Sequence, residues 1–257
     1  MPYMAVVQEE LEAKQNELKL KAARAAIRFV KPGMRLGLGS GSTAEIFIRE
    51  LAKEKDIIES LVCVATSYRT ELLAKNLGLK VALLYELGKI DLAVDGADRV
   101  TADGTVLKGW GGAFRKEKIV GYSADMFIVI IDESKFVKDT AIYEKVPLGV
   151  THLMGNNGPP RVLRCLSDFG IPIECITTRM NAYQIDKPFM PDGGGYVLDV
   201  KIDLSDVYHA IEWEEKLGLI PDTTGNGLFT KFEGEALALI AYDNGMITFD
   251  IKQHGLK

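Results

Sequence analysis

Between residues 34 and 131 the chain alternates short apolar runs with helix-forming stretches, and this rhythm restricts the fold more than any other feature. Met34–Leu38 reads as a strand and Ser42–Lys53 as a helix; Leu61–Ala65 is a second strand and Arg69–Asn76 a second helix. Val81–Leu84 and Ile90–Val94 read as further strands, Gly112–Ser123 as a helix, and Phe127–Ile131 as an uninterrupted apolar strand. Short strands separated by helices imply a mostly parallel sheet covered on both faces. In such sheets ligands bind outside the carboxyl ends of the strands. Chemistry is therefore expected on the residues that directly follow each strand.

A helix over about Gln8–Val30 precedes this pattern, with Leu11, Leu18, Ala22, Ala25 and Phe29 at helical spacing and Lys31-Pro32-Gly33 as its stop. The rhythm changes near Pro147. Strand-like Ile171–Thr177 and Tyr196–Ile202 and helix-like Ser205–Leu217 follow, divided by the turn cluster Pro191-Asp192-Gly193-Gly194-Gly195. Leu237–Tyr242 and Met246–Ile251, joined through Asp243-Asn244-Gly245, read as a closing hairpin. The expected organisation is an α/β catalytic domain over 1–147 and 223–257, interrupted by a small α+β domain over 148–222.

A length of 257 residues, 47% of them hydrophobic and 26% charged, supports a real core. The net charge of -5 gives no electrostatic reason to bind nucleic acid or an anionic membrane, though a local phosphate pocket is compatible with it. Cys63, Cys165 and Cys175 are scattered in apolar surroundings with no CxxC pair, as expected of buried free thiols in a reducing compartment. The N-terminus lacks a signal pattern and no run approaches the roughly 18 apolar residues of a membrane span. A cytoplasmic protein is expected.

Four motifs carry chemistry. Gly37-Leu38-Gly39-Ser40-Gly41-Ser42-Thr43 leaves a strand and opens a helix. Its glycines let a ligand approach the backbone, and its hydroxyls and helix-end N–H groups make an anion cradle. The plain structural alternative is a tight turn with Ser42 as an ordinary N-cap. No Gly-Lys-[Ser/Thr] ending is present, the third glycine is one place short of dinucleotide spacing, and Ala65-Thr66-Ser67 lacks a ribose-binding acid, so a nucleotide is not expected. Asp95-Gly96-Ala97-Asp98 follows the strand at 90–94 and can take hydrogen bonds from sugar hydroxyls, or bind Mg²⁺, or simply turn the chain.

Lys108-Gly109-Trp110-Gly111-Gly112-Ala113 sets a positive charge beside exposed backbone N–H groups, and Glu117 lies nine residues on from Lys108. Taken alone, Lys116-Glu117-Lys118 reads as a solvated helix face. Asp132-Glu133-Ser134-Lys135 places a lysine beyond another apolar strand, where a solvent-facing loop is the ordinary reading. Together the four motifs bring phosphate donors, paired acids, a lysine and a further carboxylate to one rim, all at the ends of consecutive sheet strands or on the turns beginning the next helices. An aldose–ketose isomerase needs that set: a base beside a carbonyl, and cations and N–H groups to hold the enediolate oxygen.

These residues resemble the ribose-5-phosphate isomerase A family, whose members carry a GxGTGST-like loop, DGAD, KGGGGA…REK and a later SK. The resemblance covers the chain from the first helix, including Glu17-Leu18-Lys19, to about residue 150; beyond that only the layout is similar. It implies an α/β fold, a mostly parallel Rossmann-like sheet with helices on both faces plus a smaller α+β, ferredoxin-like lid domain. It implies interconversion of D-ribose 5-phosphate and D-ribulose 5-phosphate through an enediolate, with no metal or other cofactor; His152, His209 and His254 are isolated and lack ligand spacing.

The resemblance also assigns roles. Ser40, Gly41, Ser42 and Thr43 hold the phosphate, helped by Lys19. Glu117 shuttles the proton between C1 and C2, and Lys108 stabilises the enediolate oxygen. Asp95 and Asp98 hold hydroxyls and assist ring opening, with Gly96, Ala97, Gly109, Trp110, Gly111 and Lys135 lining the site. The partners implied are a small phosphorylated sugar and further copies of the chain, as a homodimer or homotetramer. Phe229-Thr230-Lys231-Phe232 would either face such a copy or belong to the core.

The chain departs from the family pattern at Arg99, where an acid usually follows DGAD, and at Trp110, which breaks the glycine run and does not readily adopt positive φ. Ser40 replaces a threonine, and Gly149-Val150-Thr151 lacks the family's acid. Arg99 and Trp110 motivate an alternative, an isomerase or deaminase of another phosphosugar. A non-catalytic phosphosugar sensor is a further alternative, against which stands the lack of a basic helix-turn-helix pattern before residue 31.

Overall fold

The structure is a computed structural model that describes residues 2–138, 142–151, 158–184, 186–204 and 206–252. In chain order the first elements are α1 (Pro2–Ile27), β1 (Arg35–Leu38), α2 (Ser42–Leu51), α3 (Lys55–Ile58), β2 (Val62–Ala65), α4 (Tyr68–Asn76), α5 (Leu84–Leu87) and β3 (Ile90–Asp95). Then come β4 (Arg99–Thr101), β5 (Val106–Leu107), α6 (Phe114–Tyr122), β6 (Ala124–Asp132), β7 (Phe136–Val137), β8 (Ile142–Val150) and α7 (Gly158–Asp168). The last are β9 (Ile176–Thr178), β10 (Tyr196–Leu204), α8 (Val207–Leu219), β11 (Thr223–Asn226), β12 (Leu228–Phe229), β13 (Glu235–Tyr242) and β14 (Gly245–Asp250). The chain divides into two compact units, one of Met1–Ala97, Val120–Phe136 and Phe232–Ile251, the other of Asp98–Ile119, Val137–Lys231 and Lys252–Lys257.

In the first unit six strands form a sheet in the order β14-β13-β6-β3-β1-β2. All neighbours are parallel except the β13–β14 hairpin, which turns at Tyr242 and Gly245. Phe127–Ile131 of β6 is buried throughout, as a parallel strand covered on both faces must be. On α2, Ala44, Phe47, Ile48 and Leu51 recur at helical spacing and are buried, so this face packs inward while Glu45 and Arg49 flank it. Leu18, Ala22, Ala23 and Ala26 do the same for α1, whereas Leu11 is exposed rather than part of the stripe. Phe232 is a core residue here and stacks on Phe127 at 5.5 Å, while Phe229 is buried in the second unit.

Val81–Leu84 is not a strand. Val81 makes one isolated parallel bridge to Cys63 at the sheet edge, and Leu84 opens the short α5. Leu83 there is exposed, beyond the edge strand β2.

In the second unit one antiparallel sheet has the order β11-β8-β10-β9, with Val146, Leu148, Val150, Leu198, Val200 and Ile202 facing Val162, Leu166 and Leu217 of α7 and α8 in a core of its own. A smaller sheet has the order β12-β5-β4-β7. Ile171–Thr177 is a strand only from Ile176; Pro172 instead starts a 3₁₀ turn over Ile173–Cys175. The break expected at Pro147 is absent, since β8 runs through it and pairs with β10 along nine residues. The segment 98–119, expected in the larger domain, belongs to the second unit because β5 pairs with β12. The units thus change at 97/98, 119/120, 136/137 and 231/232 instead of at 147/148 and 222/223. All three cysteines are free, but only Cys63 is fully buried; Cys165 and Cys175 are half-buried. Among the described residues no helix is long and apolar enough to cross a membrane.

Candidate active site

In the first unit β1 ends at Leu38 and α2 begins at Ser42. Gly41, at φ 86°, occupies the N-cap position, so no side chain caps the helix and Ser42 is its first residue rather than an N-cap. A left-handed residue at that point favours glycine and leaves the helix-end amides open to a ligand. Gly39 is required for a different reason: a Cβ there would overlap the Asp95 carboxylate. That carboxylate is buried, and its Oδ1 accepts from the N–H of Ser40 at 3.0 Å and of Gly96 at 2.7 Å. Asp95 therefore ties the first glycine turn to its own. Thr43 lies beside Gly96, is 2% exposed, and its Oγ1 has no hydrogen-bond partner among the described residues.

Two further anchors hold these turns. Thr70 Oγ1 donates to the Gly39 carbonyl at 3.0 Å while its own N–H donates to Ser67, the N-cap of α4. Lys135 stands on a 3₁₀ turn after β6, and its ammonium donates to the Ala97 carbonyl at 2.7 Å. Lys19 is half-buried on α1.

In the second unit Lys108 and Glu117 meet. Lys108 Nζ is 3.4 Å from Glu117 Oε2, with side chains 3% and 6% exposed. Lys108 follows the two-residue β5 of the small antiparallel sheet, a strand that the sequence did not show. Its N–H donates to the Gly227 carbonyl at 2.9 Å, which continues the β5–β12 pairing. Glu117 lies in the first turn of α6, with Lys116 beside it exposed; the solvated-face reading holds for Lys116 and fails for Glu117. Two ions taken out of water this far need each other, because either alone carries a large desolvation penalty.

Asp98 and the glycine loop complete this cluster. The N–H of Asp98 donates to the Leu107 carbonyl at 2.8 Å, and its Oδ2 accepts from the Trp110 N–H at 2.9 Å. Gly109 and Gly112 take the positive φ values, 108° and 82°, and Trp110 and Gly111 do not, so the tryptophan enters the glycine run without backbone strain. Its ring is half-exposed and stacks under the Arg99 guanidinium at 5.4 Å, so the two departures from the family pattern are in contact.

Sequence reasoning overlooked the residues that hold this loop. Arg179 donates to the carbonyls of Gly109 at 2.7 Å and Trp110 at 3.0 Å and is paired with Asp199. Lys118 donates to Glu214, Asn226 and the Leu228 carbonyl; burial pushes its pKa down, against the attraction of Glu214. Their partners are 20 to 110 residues distant in sequence, and only the second cation of Lys116-Glu117-Lys118 gave a hint.

Fold and paired groups together make the chain an α/β protein with a buried acid and amine set for proton transfer, and similarity in sequence and structure says of which kind. The family model of ribose 5-phosphate isomerase A (phosphoriboisomerase A) matches residues 62–245. Ribose-5-phosphate isomerase A of Methanocaldococcus jannaschii is 37% identical over 223 residues, covering 85% of this chain and 92% of that one. Its solved structure superposes with a TM-score of 0.80 at 34% identity, over 91% of this chain and 98% of that one. A ribose-5-phosphate isomerase in complex with phospho-erythronic acid also gives 0.80, at 31% identity and the same coverage. The chain belongs to the ribose 5-phosphate isomerase A family.

Proposed function

We infer that Glu117 and Lys108 carry the family's reaction in this chain. That reaction interconverts D-ribose 5-phosphate and D-ribulose 5-phosphate, a step of the non-oxidative branch of the pentose phosphate pathway. The observation that carries the assignment is the buried contact of 3.4 Å between the two side chains.

The Glu117 carboxylate takes the proton from C2 of the open-chain aldose. The electron pair left behind forms the C1–C2 double bond of an enediolate, and the former carbonyl oxygen becomes the charged one. The Lys108 ammonium stabilises that oxygen. Glu117 then returns its proton to C1 while the hydroxyl proton on O2 passes to O1, which leaves the ketose. Proton transfers alone complete the conversion, so the mechanism needs no metal or redox cofactor.

Ser40, Gly41, Ser42 and Thr43 hold the phosphate, with Lys19 as a further cation; the uncapped helix end and the unpartnered Thr43 hydroxyl support this. A relative's complex with phospho-erythronic acid, which joins a phosphate to a short hydroxylated chain, supports it as well. Asp95 and Asp98 take sugar hydroxyls and assist ring opening; Gly96, Ala97, Gly109, Trp110, Gly111 and Lys135 line the site. The second unit serves in the assembly of a cytoplasmic homodimer or homotetramer, a role its exposed Ile173, Met190 and Leu219 support.

The Arg99–Trp110 stack beside Asp98 favours one second reading, a preference for another phosphosugar. An aldose-to-ketose assay over several pentose and hexose phosphates, with a chelator present, decides between them. Turnover is expected to be fastest with ribose 5-phosphate and unaffected by the chelator. No turnover of ribose 5-phosphate, with turnover of another sugar, would replace this reading by the second.

A further inference from the structure

We propose that Lys118 is a positioning residue that fixes the Glu117 carboxylate against Lys108; this rests on the reading of Glu117 as the base. Lys118 follows Glu117 on α6, and its side chain is 17% exposed beside a Glu214 that is 7% exposed. Three acceptors converge on its ammonium: Glu214 Oε1 at 2.7 Å, Asn226 Oδ1 at 3.1 Å and the Leu228 carbonyl at 2.5 Å. The acceptors are themselves held. Glu214 Oε2 accepts from the N–H and hydroxyl of Thr230 at 2.8 and 2.6 Å. Asn226 Nδ2 donates to the Glu214 carbonyl at 3.0 Å, and its Oδ1 also accepts from the Leu228 N–H at 3.1 Å. All three ammonium protons are used in a connected network, so displacing Lys118 strands several buried polar groups.

The same network reaches Lys108. Between Asn226 and Leu228 lies Gly227, whose carbonyl receives the Lys108 N–H, and Leu228 pairs with Leu107. The Phe229 ring lies 5.0 Å from the Lys118 ammonium and 5.9 Å from that of Lys108. One end of the network thus holds the helical turn that bears Glu117, and the other holds the strand end that bears Lys108. Lys118 and Glu117 share a peptide unit, so the cage around one sets the rotation of the helix at the other. Proton transfer from carbon is sensitive to that rotation, because a misplacement of about 1 Å can cost on the order of a hundredfold in rate. Glu214 brings α8 into this role.

The test measures kcat and KM for ribose 5-phosphate, with thermal unfolding, in Lys118→Met, Lys118→Arg and the double variant Lys118→Met/Glu214→Leu. The double variant removes both charges together, and apolar replacement of a buried pair is often neutral for stability, so it keeps the test open if the single variant does not fold. Lys118→Met is expected to lower kcat about 10- to 100-fold with KM within about threefold of the parent, Lys118→Arg to recover most of the loss, and the double variant to stay slow while folded. A folded variant without Lys118 whose kcat stays within about twofold of the parent overturns the proposal. Glu117→Gln in the same series separates the two readings. If it keeps normal turnover, the assignment of the base fails; if it is slow while the Lys118 variants are not, only the positioning role fails.

Discussion

Lys108 and Glu117 form an ion pair 3.4 Å apart with 3% and 6% of their side chains exposed. Each compensates the other's loss of hydration, so stability and chemistry are joined at one contact. Lys108→Met is expected to lower kcat about 10²–10³-fold, the usual cost of removing one donor to a developing oxyanion. It also leaves a buried carboxylate uncompensated, at a cost of about 3–5 kcal/mol. Denaturant unfolding with steady-state kinetics checks both. The double variant Lys108→Met/Glu117→Gln should recover stability and no activity.

Thr43 separates binding from folding. Its hydroxyl is buried with no hydrogen-bond partner among the described residues, so the unliganded fold gains nothing from it. Thr43→Val keeps the shape and is expected to leave stability unchanged or slightly raised, while KM for ribose 5-phosphate rises about tenfold, the worth of one hydrogen bond to a charged group. Kinetics and a thermal melt suffice.

Arg35 and Asp91 join the starts of β1 and β3. The Asp91 carboxylate accepts from the Arg35 N–H at 2.7 Å and from Nη2 at 2.5 Å, and these bonds hold its pKa below the usual carboxylate range. A depressed carboxylate contributes stability that is fully present above the unfolded-chain pKa, about 3.9, and is lost as pH falls through the lower folded value. Asp91→Asn should therefore melt below the parent at pH 7, and the gap should close as pH drops below about 4. Melting curves across that range check the sign.

Cys63 lies on β2, paired with β1 and bridged to Val81, and burial pushes its thiol pKa up to about 12. It is expected to resist a thiol reagent at pH 8 in the native protein and to react only on unfolding. Peptide mapping of labelled native and unfolded protein would show it.

The parts of the site that were legible in the sequence are local ones. Gly39, Ser40 and Asp95 meet within a strand-turn-helix and the neighbouring strand, and glycine beside hydroxyl residues signals that geometry directly. The strand before Lys108 was not legible because a two-residue strand such as β5 has no periodicity to read. Pro147 read as a boundary, yet β11's pairing with β8 stops at Leu148, one residue short of it, and β10 carries the strand on. The burial of Glu117 was hidden by its charged neighbours, and the lysine beside it finds Glu214 only after 96 further residues have folded back. Charge and spacing say which groups a helix carries; the partner across the fold says which one leaves water.

Glu117 as the proton shuttle is tested most directly by Glu117→Gln, assayed for turnover of ribose 5-phosphate and for exchange of the substrate's C2 hydrogen with solvent. Turnover is predicted to fall about 10²–10⁴-fold with C2 exchange lost to the same extent, while a phosphate-bearing inhibitor still binds. Near-normal turnover, or C2 exchange at the parent's rate, would contradict it.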